Sequence, residues 1–350
     1  MSRKHEAITG TIYALIILTL IVDSTNAIAS AKNAILICLE TVIPSLFPMC
    51  ILTNLMIDIV LGKTLHPLSF IRKICKLPKG GESIFVLGLL GGYPLGAKLI
   101  AQGYNRNALS KQQAKRMLYF CSNAGPAFLF GLCTPLFTKQ NATLALWSVH
   151  ICSAVLLSLM LPGENGQSVK LPQQHRTTQS ILYDGIKTMG VVCGWIILFR
   201  VLLRFLERWI IFAFPTPVSA VIKCLVELST GILDLHIVRN EQIRFIICAV
   251  ALSFGGLCIM LQTATITSGL TFKSYVFGKI MHALISYIMA LLTCKLLYSN
   301  GKLSILSPFV PILVILITII FQKGMEFFIS IIYNIKNKPA RSLLCCSAKK

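Results

Sequence analysis

The chain has 350 residues and a mean hydropathy of +0.76, with 55% hydrophobic and only 13% charged residues, against roughly 25% charged in an average soluble protein. That balance excludes disordered, collagen-like and ordinary soluble globular classes and leaves a polytopic membrane protein. Lys and Arg number 33 against 12 Asp and Glu, a net charge of +21. The basic residues sit in short segments between apolar runs, where the positive-inside rule places them beside anionic lipid, so nucleic acid is not the expected partner.

A helix needs about 20 apolar residues to cross a bilayer. Residues 7–24, 45–62, 117–137, 142–161, 181–203, 275–298 and 308–332 qualify. The first lies behind Arg3 and Lys4. Residues 1–26 read as a retained N-terminal transmembrane helix, because Asp23-Ser24-Thr25-Asn26 holds no clear small-x-small cleavage site. Ala27-Ile28-Ala29 keeps the cleaved-signal reading open. Residues 27–43 run into Pro44-Ser-Leu-Phe-Pro48, where two missing backbone donors predict a broken helix.

Residues 83–103 are long enough to span, but Gly91, Gly92, Pro94 and Gly96 occupy their middle and favour a turn. Basic residues flank both ends, Lys63, Arg72, Lys73, Lys76 and Lys79 before and Arg106, Lys111, Lys115 and Arg116 after. A re-entrant hairpin keeps both clusters on one side, where a span strands one. Residues 243–270 repeat the pattern around Gly255 and Gly256 and predict a second hairpin. Between them, residues 218–238 carry Lys223, Glu227, Ser229, Thr230, Asp234 and His236 among apolar neighbours, as in a helix inside a bundle or one only partly inserted.

The polar stretch 162–180 divides the chain into halves, 27–161 and 181–332, ahead of a basic tail at 333–350. Each half offers an entry helix, a glycine-broken hairpin and two apolar helices. The fold class expected is all-α, with about eight spans, two re-entrant hairpins and an internally duplicated transporter-like unit whose site lies at the repeat interface. Orientation, inverted against parallel repeats, stays open. The 13 cysteines are an odd count and lie mostly in apolar runs, as reduced small hydrophobes. Cys345-Cys346 in the tail is an alternative lipidation site.

Four groups carry candidate chemistry. In Gly91-Gly92-Tyr93-Pro94-Leu-Gly-Ala-Lys98, half-helix amides and Lys98 face an anionic substrate, or Lys98 snorkels and the glycines serve packing. Ser122-Asn123-Ala-Gly125-Pro126 interrupts a helix and presents the Asn123 amide, to substrate or to neighbouring helices. Glu227, ahead of Ser229 and Thr230, binds substrate or couples transport to a proton or Na⁺, or else pairs with Lys223 one turn away. Gln262, Thr263 and Thr265 follow Gly255-Gly256 and line the same cavity or bond between helices. The six His are scattered, and no HExxH, CxxC, P-loop or GxSxG occurs. No catalytic residue, metal or cofactor is therefore expected, and the chain is read as not an enzyme.

Pro44-Ser-Leu-Phe-Pro48, Gly91–Lys98, Cys121-Ser-Asn-Ala-Gly-Pro-Ala-Phe128, Glu227-Leu-Ser-Thr-Gly231 and Phe254-Gly-Gly-Leu257 with Gln262, in this order, resemble the sporulation integral membrane protein family called YlbJ or SpoVV. That family belongs to the wider nucleoside-recognition (Gate) domain group, related to concentrative nucleoside transporters. The resemblance implies a permease for dipicolinic acid in the outer forespore membrane of a bacterium forming endospores. A dicarboxylate needs fixed positive potential, which Lys98 and the half-helix amides are expected to supply. The alternatives are a nucleoside or nucleobase permease on the same scaffold and a non-transporting scaffold or gating subunit of a spore-assembly complex.

Overall fold

The computed structural model describes residues 3–60, 66–163, 177–267, 270, 272–299 and 302–336. The regular structure of these residues is all helical, without a strand among them. Backbone groups in lipid must pair within their own segment, and helices do this.

The first half opens with α1 (Arg3–Val22), α2 (Ser24–Ile37) and α3 (Ile43–Val60). The break expected at Pro44–Pro48 does not occur. A π-helical turn, Cys38–Val42, joins α2 to α3, and the Ile43 N–H reaches the Cys38 carbonyl five residues back. The wider turn absorbs the mismatch of the proline that follows, and Pro48 continues inside α3. After α4 (Ser69–Ile74), α5 (Gly81–Gly91) and α6 (Leu95–Asn105) fold back on each other as a helical hairpin over the stretch 83–103. Gly92, at φ 77°, makes the reversal, a backbone conformation that glycine adopts without penalty. The two arms touch so closely that a Cβ on Gly88 would lie 3.0 Å from the Gly96 Cα.

α7 (Lys111–Leu118) begins with a reciprocal cap, Ser110 with Gln113. It ends early. Residues 122–125 lie outside any helix, with Gly125 extended, and Pro126 opens α8 (Pro126–Cys133), so the span expected at 117–137 is two short helices around an unwound stretch. α9 (Ala142–Met160) closes the half.

The second half runs α10 (Thr178–Trp209), α11 (Thr216–Val226), α12 (Leu228–Leu233), α13 (Glu241–Phe254), α14 (Gly256–Ile266), α15 (Phe272–Leu297) and α16 (Val310–Lys336). Here the hairpin is misplaced in the expectation above. Within the stretch expected at 243–270, residues 243–266 form a helix broken at Gly255, whose arms do not lie side by side: α13 packs on α15 and α14 on α10. The arms that fold back on each other are α11 and α12, reversed at the extended Glu227. A Cβ on Gly231 would overlap the Cys224 backbone. Each half therefore reads long helix, hairpin, broken helix, long helix, which replaces the order expected from sequence.

Among the described residues six helices are long and apolar enough to cross a membrane, against about eight expected. Burial separates them, with 72% of the α13–α14 apolar stretch buried and 17% of that at 303–326. α13–α14 is the centre of the bundle, and α16 shows Leu313, Ile317, Ile320 and Phe321 to the surroundings. Most of the 162–180 segment and the end of the basic tail, with Cys345 and Cys346, lie outside the described residues.

Candidate functional site

In the first half the hairpin lies across the unwound stretch, backbone on backbone. A Cβ on Gly96 would overlap the Cys121 carbonyl and sit 2.9 Å from the Ser122 Cα, and one on Gly88 would sit 2.5 Å from the same carbonyl. At the tip, a Cβ on Gly92 would be 2.8 Å from the Gly125 nitrogen. Lipid tails are as apolar as the helices they surround, so close packing of small residues supplies much of the association energy here. Gly91 faces Leu95 and Thr53.

The second half repeats the crossing. Gly256, at φ 73°, brings the break in α13–α14 against the α11–α12 tip, where a Cβ would lie 2.9 Å from the Cys224 carbonyl. Glu227 fills that tip and is 1% exposed. Its two carboxylate oxygens accept the Ser229 N–H at 3.0 Å and the Thr230 N–H at 2.7 Å. Glu227 thus caps α12 with its own charge, and the expected alternative of a Lys223 ion pair fails: Lys223 binds Glu207 at 2.8 Å and Asp234 at 2.9 Å.

Tyr93 joins the two crossings. Its hydroxyl donates to the Leu252 carbonyl at 3.0 Å, and its ring covers Gly255. Between the tips lies a cavity of about 20 Å³ whose polar wall is Tyr93, Glu227, Ser229 and Gln262, with Phe128, Val42, Leu46, Val192, Ile196 and Ile259 as its apolar wall. It has room for about one water. Gln262 donates across it to the Val192 carbonyl at 3.4 Å.

Lys98 is not in this cavity. It crosses to α10, pairing with Asp184 at 2.8 Å and Thr188 at 2.7 Å. It therefore neither snorkels nor faces the tips, and its charge is compensated by the other half of the chain. The Asn123 amide donates to Phe120 O at 2.7 Å, leaving Oδ1 buried without a partner, as is the Thr230 hydroxyl, while the Ser122 and Thr263 side chains bond the Tyr275 hydroxyl. Thr265 sits on an exposed face, bonded to Trp195.

Sequence reasoning missed the polar centre behind Tyr93. Lys279 on α15 is fully buried; its ammonium donates to Tyr93 Oη at 2.8 Å and to the Ser122 carbonyl, over the Tyr93 and Tyr275 rings. His150 Nε2 accepts the Ala124 N–H at 3.0 Å, which leaves Nδ1 to donate to Ser253 Oγ at 3.1 Å. His282 Nε2 donates to the His150 carbonyl at 3.0 Å. Hydrogen-bond partners assign these tautomers. His150 on α9 thus binds both broken helices, and His282 ties α15 to α9. The signal was present: Lys279 and His282 stand one turn apart in an otherwise apolar run, and an ionisable residue there is a functional candidate by default.

No protein-family model matches the chain, and no solved structure does. Among curated proteins it is similar to the sporulation integral membrane protein YlbJ of Bacillus subtilis (strain 168), 24% identical over an alignment that covers 85% of each chain. That similarity agrees with the six apolar helices. The chain is an integral membrane protein.

Proposed function

We propose that the chain is a permease, not an enzyme, that moves a small anionic metabolite through the cavity between the two hairpin tips. Both hairpins are then re-entrant, and the halves rock about Tyr93 to open a site that has room for about one water when closed. The observation that carries this reading is the convergence of two glycine-packed tips and two helix breaks on one polar cavity. Irregular backbone at membrane depth is tolerated where it lines such a cavity. Dipicolinate is the substrate that the family resemblance implies, and the outer forespore membrane is the location. Glu227 is the group that couples transport to a proton or Na⁺, since its carboxylate faces the cavity while held by backbone amides.

Spores of a deletion strain should contain little dipicolinate and regain it when the chain is restored. Wild-type content in the deletion strain overturns the substrate. A nucleoside permease is favoured by one observation, the Glu227–Gln262 pair, which suits hydroxyl and amide groups. Uptake in which nucleosides compete and dipicolinate does not selects that reading.

A further inference from the structure

Lys279 is set apart from Lys98 and Lys223, which cross the bundle to carboxylates. Lys98 has Asp184, and Lys223 has Glu207 and Asp234. Arg116 is tied to the carbonyls of Cys75, Lys76, Ser158 and Pro162. Lys279 is fully buried and meets one hydroxyl and one carbonyl, both uncharged. A buried charge without a counter-charge is costly, and removing that cost calls for a carboxylate or a similar anion.

Three hydroxyls cluster beside the elements that hold the ammonium, since Ser122 gives Lys279 its carbonyl and the Tyr275 ring lies 5.7 Å from Nζ. Ser122 Oγ, Thr263 Oγ1 and Tyr275 Oη are buried with no hydrogen-bond partner outside their own cluster, within which the Ser122 and Thr263 side chains bond the Tyr275 hydroxyl. Each is a donor, and a carboxylate accepts about four hydrogen bonds. One ammonium and three hydroxyls from α15, α14 and the unwound stretch therefore match one carboxylate. The Tyr93 side chain spans from this cluster to the cavity, with its hydroxyl on Lys279 and its ring in the cavity wall.

We infer that Lys279, with the hydroxyls of Ser122, Thr263 and Tyr275, binds a carboxylate of the transported anion after Tyr93 turns aside. This rests on the permease reading above and moves the fixed positive charge from Lys98 to Lys279. Tyr93 Oη then holds, in the closed state, the place that a ligand oxygen takes in the loaded state.

The test is dipicolinate binding to the purified full chain in detergent, followed by calorimetry, with dipicolinamide as the uncharged probe. Wild type should bind dipicolinate and not the diamide. Lys279→Met should abolish binding. Because Lys279→Met is a candidate for misfolding, Thr263→Val and Tyr275→Phe carry the test independently: each removes one hydroxyl and keeps the side chain's shape, a melting curve of the free variant checks its folding, and each should weaken dipicolinate by roughly ten- to a hundredfold, the range for a hydrogen bond to a charged group. Binding by wild type with unchanged affinity in both hydroxyl variants overturns this inference and leaves the permease reading standing. A wild type that binds neither dipicolinate nor any other small carboxylate overturns the anionic permease reading itself, and this inference with it.

Discussion

The two hairpins use one architecture for different chemistry. At the α5–α6 tip the packing is glycine on glycine, the projecting side chain is an aromatic ring, and α6 starts with no side-chain cap. At the α11–α12 tip the projecting group is a carboxylate, and it caps the helix that it opens. An anion approaching α12 meets amides already occupied by Glu227, and one approaching the first tip meets Tyr93 with Lys279 behind it. The difference teaches that backbone geometry is shared between the halves while the charge that reads a ligand belongs to each half separately.

The comparison breaks most severely at the glycines. Gly96→Ala drives a Cβ into the Cys121 carbonyl with backbone on both sides, so the first crossing must separate. Overpacking of this kind costs about 1–3 kcal/mol or more, and the expected outcome is loss of folded protein in detergent extracts. Gly131→Ala, where nothing lies within 4 Å, is the control and should accumulate normally.

The next effect concerns the lysine that links the halves. Asp184→Asn leaves Lys98 without its counter-charge. Asp184 is about one-third exposed, which places the loss between that of a surface pair and that of a buried one, about 1–2 kcal/mol. Melting of the purified variant should show this, and the double change Lys98→Met with Asp184→Leu should recover most of it.

Glu227→Gln separates the tips more finely. The amide retains one acceptor oxygen and sets an NH₂ group against the second backbone N–H, so the α12 cap weakens by about 1 kcal/mol. Abundance should fall slightly and transport should stop. Lys223→Met should not rescue it, since Lys223 serves Glu207 and Asp234. Rescue would restore the pairing that the structure rejects. The smallest change is Thr265→Val, on the exposed side of α14, which should move melting by less than about 0.5 kcal/mol and leave transport intact.

The first hairpin was legible because a dense glycine-proline run lies between two basic clusters. The second was not, because Gly255-Gly256 and Glu227 both signal an interruption, and local sequence does not separate a break from a reversal. That distinction is made by Gly231 lying against Cys224, a tertiary contact. The Lys98 assignment failed for a related reason, since Asp184 is 86 residues away and no periodicity exposes it. Lys279 was within reach. The rule that singled out Lys98, an ionisable group inside an apolar run, applies equally to residues 275–298, where glycine and proline did not draw attention to it.

The most direct measurement of the central claim is uptake of labelled dipicolinate by proteoliposomes containing only the purified chain. The account predicts saturable entry above that of empty liposomes, lost in Glu227→Gln and retained in Thr265→Val. Entry no faster than in empty liposomes, for dipicolinate and for other small anions and with the protein folded, would contradict a permease and favour a scaffold role.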